Sequence, residues 1–242
     1  MWSTFRKVLG AGMLLLVVNT AEAQTTMVSF TFDDAPKSVV TVGLPILAAA
    51  GYPATVYIST RNTTFHGYMN WNDVALVAQN GWEIGAHTYT HPHLTKLTDA
   101  EIVQEFETSN ADYALHGYYP IAFATPFGAY DDRVLNIVKR YYESHRAAWP
   151  AGVNTLSPDP YAIASYEVNR VTTIEEVTSL LDDLQKNQNG GWIVLQLHHL
   201  FPKGEVVTEE YGSDLLEAIV EQVKTRHIAV LTVSDALKQL KK

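Results

Sequence analysis

Two adjacent carboxylates, Asp33 and Asp34, end the run Ser29-Phe-Thr-Phe and stand just ahead of Pro36. Each disfavours ionisation of the other, so holding both at one place needs compensation. A divalent cation bound by one of them provides it and leaves the second for proton transfer. His87 and His91 bracket the run His-Thr-Tyr-Thr-His, a spacing at which one turn presents both imidazoles to a single ion. One carboxylate and two imidazoles leave coordination positions open for water and substrate. The sequence has no cysteine, so any ion here must rely on such ligands, and disulfides are excluded. His198 and His199 close the apolar run Trp192-Ile-Val-Leu-Gln-Leu, and a histidine facing an ion and its water is a natural general acid. Strand alternation sets Gln196 and His198 on one face and Leu197 and His199 on the other, and His198 is taken as the acid. His93 lies outside the tighter His87–His91 spacing and is read as a bystander.

For these groups to meet, the segments ahead of them must end on one rim. Met27–Asp33 reads as a strand, followed by a helical run over Ser38–Ala50 that Gly51 closes. Ala54–Ser59 is a second strand, Asn72–Asn80 a helix and Trp82–Thr88 a third strand. Thr98-Asp-Ala-Glu101 is a capping box opening a helix to about His116, and Thr173-Ile-Glu-Glu176 is another, for a helix to about Gln188. Between them come a strand at Ile121–Thr125, a helix at Asp131–Tyr142, a strand at Ser144–Trp149, a proline-rich loop at Pro150–Pro160 and a short strand at Tyr166–Val171. Trp192–His198, a helix at Ser213–Thr225 and a last strand at Ile228–Val233 complete the series, with a fraying end at Lys238–Lys242. Strand and helix alternate throughout, which predicts a parallel sheet and, at 242 residues, a single-domain α/β barrel, closed or nearly so. An open doubly wound sheet is the alternative, but two acids and a proline stand where its glycine-rich loop belongs. In a parallel barrel the chemistry lies at the C-terminal ends of the strands, and all five residues fall there.

The N-terminal stretch stands apart. Arg6 and Lys7 precede the apolar run Val8–Val18, and Ala21-Glu-Ala23 fits a cleavage site, so residues 1–23 read as a signal peptide and 24–242 as the mature, secreted or periplasmic chain with no membrane span. The formal net charge of −9 and the lack of any basic run argue against nucleic acid and anionic membranes as partners.

Thr31-Phe-Asp-Asp-Ala-Pro36, His87-Thr-Tyr-Thr-His91 and Leu195-Gln-Leu-His198 resemble, in order and spacing, the first, second and fifth motifs of the polysaccharide deacetylase family, carbohydrate esterase family four. The resemblance implies a distorted (β/α) barrel of about seven strands and metal-dependent removal of acetyl groups from glycans. It assigns Asp33 as the base, Asp34, His87 and His91 as ligands of a divalent ion (zinc, with cobalt or nickel as alternatives), and His198 as the acid. An acetylated glycan, rich in N-acetylglucosamine, is the implied substrate. An O-acetyl ester such as acetylxylan and a non-catalytic glycan-binding barrel are the alternatives.

Two departures stand out. The third motif ordinarily carries an arginine that pairs with the base, whereas Phe123-Ala-Thr-Pro-Phe-Gly128 has Ala124 in its place. Arg146 and Arg170, each near the end of a predicted strand, are candidates to replace it. Phe127 takes the position whose N–H serves an oxyanion. The fourth motif, an Asp-Trp pair, has no clean counterpart. Trp149 and Asp159 flank the long loop in its stead, and Trp149, Tyr130, Phe127 and Phe201 are candidate sugar-stacking rings.

Overall fold

The computed structural model describes residues 26–148, 151–202 and 211–241. The proposed signal peptide, 1–23, lies outside them. Seven strands carry the sheet: β1 (Thr26–Phe32), β2 (Thr55–Ile58), β3 (Glu83–Ala86), β4 (Ala122–Ala124), β5 (Ser144–Arg146), β6 (Tyr166–Glu167) and β7 (Gly191–Leu197). They pair in the order β5-β4-β3-β2-β1-β7-β6, and every pair is parallel. The sheet curls into an incomplete barrel. Residues 160–165 bring its edges together, since Arg146 bridges to Ile163 and the Ala147 N–H donates to the Ile163 carbonyl at 2.9 Å. A short parallel pair, β8 (Leu200–Phe201) with β9 (Tyr211–Gly212), stands apart from it. The last strand, β10 (Ala229–Val230), pairs with Met27 and Val28 on the edge of β1 whose upper half pairs with β2.

The helices are α1 (Leu44–Ala50), α2 (Trp71–Gln79), α3 (Asp99–Leu115), α4 (Asp132–Tyr141), α5 (Ile174–Lys186), α6 (Ser213–Thr225) and α7 (Val233–Leu240). Both predicted capping boxes form: Thr98 and Thr173 accept from the backbone of Glu101 and Glu176, whose carboxylates reach back. β1 and β7 are almost wholly buried on both faces, as a parallel sheet covered by helices requires. None of the described helices is long and apolar enough to cross a membrane.

The end of the chain differs from expectation. Only Ala229–Val230 is strand. Thr232 instead caps α7, its side chain accepting from the Asp235 N–H. Val233, Ala236 and Leu237 are buried and pack beneath the barrel against Met27, Trp192 and Val194. Of the tail read as fraying, Lys238–Leu240 form the last turn of this core helix with Lys238 and Gln239 exposed, and Lys242 lies outside the described residues. Leu231–Val233, with two β-branched residues of three, reads as strand on propensity, and tertiary packing overrides it.

Candidate active site

Sheet register gathers the site. Phe32 is the partner of Leu197, and the Asp33 N–H donates to the Leu197 carbonyl at 2.9 Å, so Asp33 and His198 leave neighbouring strands side by side. Ala86 is the partner of Phe123, which sets His87 beside Ala124, and Ala124 is in turn the partner of Arg146. Asp33, Asp34, His87, His91, Thr125, Phe127, Gly128, Glu167, Gln196 and His198 line a cavity of about 300 Å³ at this rim.

The arginine absent at position 124 stands one strand over. Arg146 and Asp33 are 1% and 3% exposed, and Nη2 of the guanidinium lies 2.5 Å from Asp33 Oδ2. Gln196 Nε2 donates to the same oxygen at 3.0 Å, Ser165 donates to Gln196 Oε1 at 3.0 Å, and the guanidinium lies over the Tyr57 ring. One carboxylate oxygen of Asp33 is therefore fixed by two donors. Its other oxygen, Oδ1, is buried and accepts no hydrogen bond from the described residues. His198 Nε2 lies 3.8 Å from Asp33 Oδ2, and its ring is about one-third exposed to the cavity. His199 instead packs against Phe201, with ring centroids 4.6 Å apart, and does not line the cavity.

Asp34, His87 and His91 form a cluster suited to an ion, with one ligand atom from each within 4.8 Å of the others. His87 Nδ1 lies 2.8 Å from the Ala124 carbonyl oxygen. A carbonyl only accepts, so Nδ1 carries the hydrogen, and Nε2 of the neutral ring presents its lone pair. That lone pair faces Asp34 Oδ1 at 3.4 Å, and His91 Nε2 lies 3.0 Å from the same oxygen. Oδ1 is buried and accepts no aligned hydrogen bond from the described residues. Such convergence is stable only with a proton or a cation among the three atoms. Bonds of about 2.0–2.1 Å place tetrahedral ligand atoms roughly 3.4 Å apart, close to the 3.4 and 3.0 Å from Asp34 Oδ1 to the two imidazole nitrogens. The charges agree. Burial alone would raise the Asp34 carboxyl, but the two imidazoles outweigh it and hold the group well below the usual carboxylate range. Burial likewise would lower the His87 imidazole, and Asp34 and Asp33 together raise it.

The backbone is shaped for this purpose. Among the described non-glycine residues with positive φ, five of six are Asp34, Ala35, Thr88, His91 and Phe127, all at this rim. Each costs about 1–2 kcal/mol, an outlay that persists only where the surroundings over-determine the conformation. Phe127, at φ 57°, follows Pro126 in a tight turn closed by the Gly128 N–H to the Thr125 carbonyl at 3.0 Å. His93 stacks on the Phe127 ring at 3.9 Å, so it buttresses the rim and is not in the ligand cluster.

The other aromatic candidates lie elsewhere. Tyr130 packs on His145, Phe201 on His199, and Asp159 accepts from the Tyr161 N–H in a local turn. None of these three lines the cavity. Trp149 lies outside the described residues. Gln196 was visible as the one polar residue inside an apolar strand. Thr125, Glu167 and the pairing of Arg146 with Asp33 carry no local sequence signal.

A sequence profile of the polysaccharide deacetylase family matches residues 20–142, just over half of the chain. The chain belongs to this family of hydrolases. Among its relatives, the peptidoglycan-N-acetylglucosamine deacetylase PgdA of Listeria monocytogenes is 30% identical over 109 residues, 44% of this chain and 22% of that protein. Chitin deacetylase 3 of Cryptococcus neoformans is 31% identical over 100 residues, 39% of this chain and 24% of that protein. The chain thus spans less than a quarter of the length of either. The carbohydrate esterase domain of a multidomain xylanase from the hindgut metagenome of Trinervitermes trinervoides superposes with a TM-score of 0.63 at 20% identity. That match covers 89% of this chain and 91% of the domain, a likeness of fold.

Proposed function

We propose that this chain is a metal-dependent N-deacetylase of glycans containing N-acetylglucosamine. The observation that carries the reading is the division of labour between the adjacent acids. Asp34 faces His87 and His91 as a ligand, while Asp33 faces Arg146 and Gln196 as a base. A divalent ion, when bound by Asp34, His87 and His91, supplies Lewis acidity that polarises the acetyl carbonyl and lowers the pKa of water. Arg146 and Gln196 orient the Asp33 carboxylate so that its uncommitted oxygen takes the proton of the attacking water. The Phe127 N–H, in its left-handed turn, serves the developing oxyanion. His198 delivers a proton to the departing glucosamine nitrogen, and acetate leaves with the oxygen from water. An amide needs that proton, because an unprotonated amine is too basic to leave.

The names of the peptidoglycan and chitin deacetylases favour the amide over the ester. The pairing of Arg146 with Asp33 supplies the base with a guanidinium partner, which favours catalysis over a non-catalytic barrel. Acetate release from N-acetylglucosamine oligomers, peptidoglycan, poly-N-acetylglucosamine and acetylxylan, for the wild type and Asp33→Asn, tests the proposal. Release from acetylxylan alone would make the chain an O-deacetylase, and release from none would favour the binding barrel. Export rests on residues 1–23, and N-terminal sequencing of protein recovered from a secreting host tests it. The proposal requires a mature start near Gln24.

A further inference from the structure

The metal-ligand loop, His87 to His91, contains no glycine, yet Thr88 and His91 both adopt left-handed φ, at 69° and 61°. Something must hold it there. From below, the Thr60 and Arg61 N–H groups donate to the Thr88 and Tyr89 carbonyls at 3.2 and 3.1 Å. Within the loop, the His91 N–H donates to Thr88 Oγ1 at 3.0 Å. From the side comes one carboxylate, Glu105, in the second turn of α3. Its Oε2 accepts from the Tyr89 N–H at 3.0 Å and the Thr90 N–H at 2.7 Å, and its Oε1 accepts from Thr90 Oγ1 at 2.6 Å. Two successive N–H groups facing one carboxylate oxygen make an anion-binding concavity, filled here by the protein's own side chain. Asp112, two turns further along α3, accepts from Thr60 Oγ1 at 2.7 Å and so fixes the segment that holds the loop from below.

We infer that Glu105 is a positioning residue for the metal site, clamping the loop so that His87 and His91 reach one ion together with Asp34. Glu105 touches neither the ligands' ring nitrogens nor the cavity. It acts through two of the three residues between the histidines, through the Tyr89 and Thr90 N–H groups and the Thr90 hydroxyl. Released from it, the loop loses the acceptor that both N–H groups share and relaxes from its left-handed turns, and the imidazoles separate. The inference rests on the metal reading of this site. It adds that the ion's affinity is set partly from α3.

The test is zinc affinity, measured by competition with a chromophoric chelator on metal-free protein, alongside thermal unfolding of the metal-free form. Glu105→Ala should weaken zinc binding about tenfold or more, while Glu105→Gln, whose amide oxygen still accepts from both N–H groups, should stay within about threefold of wild type. A purely structural role would lower the unfolding temperature of the metal-free Ala variant and leave its zinc affinity unchanged, which overturns the inference. A Gln variant as weak as Ala overturns it as well, since charge and not positioning would then matter. Should Glu105→Ala fail to fold, Thr90→Val removes one of the three bonds and should weaken zinc binding in the same direction. Unchanged affinity there counts against the inference. A wild type that binds no zinc removes the metal reading and this inference with it. A wild type that binds zinc as tightly as Glu105→Ala does removes this inference alone.

Discussion

In the proposed chemistry Asp33 is the base, and its surroundings separate its two oxygens. Oδ2 is committed to Arg146 and Gln196, and Oδ1 accepts from no donor among the described residues. Asp33→Asn should lower acetate release at least about a hundredfold, the lower range for losing a general base, with zinc affinity retained because Asp34 is untouched. Arg146→Met should cost more in folding. It strands a buried carboxylate, a loss of about 3–5 kcal/mol for one partner of a buried pair. Denaturant unfolding of this variant beside wild type measures it, and equal midpoints would contradict the role given to the pair. The two acids, His87 and His198 were legible in the sequence because each closes an apolar run, and His91 because of its spacing from His87. Arg146 was not, beyond a guess shared with Arg170. Its partner lies 113 residues away, and only the β4–β5 register places it beside Ala124. Likewise His93 looked idle because nothing in the sequence reveals that it stacks on Phe127.

The turn after β4 is the element that aims Phe127, and it is packed without slack. Gly128 has φ 60°, and a Cβ built there would meet the Ala148 Cβ at 2.4 Å. Gly128→Ala should therefore displace the turn and reduce kcat at least about tenfold, since small misplacements at a site are costly. Adding Ala148→Gly should restore part of the loss by removing the clash, leaving the cost of the positive φ. An activity in Gly128→Ala equal to wild type would mean that the turn does not position the oxyanion donor. Capping boxes and glycine stops made the helices legible, and α6 occupies the stretch expected of it. The last helix was missed because the strand-like Leu231–Val233 outweighed the cap signal of Thr232 and Asp235. Thr232→Ala should cost about 1 kcal/mol of stability through loss of that cap.

For the molecule as a whole, the parallel alternation of strand and helix was legible, whereas the way the barrel closes was not. The β5 edge meets the chain at Ile163 through residues of a loop with no strand signal of its own. His145 sits in that closure. Its Nδ1 lies 3.0 Å from the Tyr161 carbonyl and its Nε2 2.6 Å from Thr125 Oγ1. Burial, with the Arg146 charge beside it, pushes its imidazole down from 6.5 to about 4. Above pH 6.5 the ring is neutral folded and unfolded alike, and its contribution to stability is fully present. As the pH falls from 6.5 towards 4 only the unfolded chain takes up the proton, so stability is lost across that window. At about 1.4 kcal/mol per pH unit the loss approaches about 3 kcal/mol. Unfolding curves from pH 4 to 7 should show it for wild type and show much less for His145→Gln. The account as a whole stands on one ion held by Asp34, His87 and His91 beside a base and an acid. The most direct test is acetate release from an N-acetylglucosamine oligomer before chelation, after it, and after zinc is returned. Release should fall to background in metal-free protein and recover with zinc. Release undiminished in protein verified to be metal-free would contradict the account.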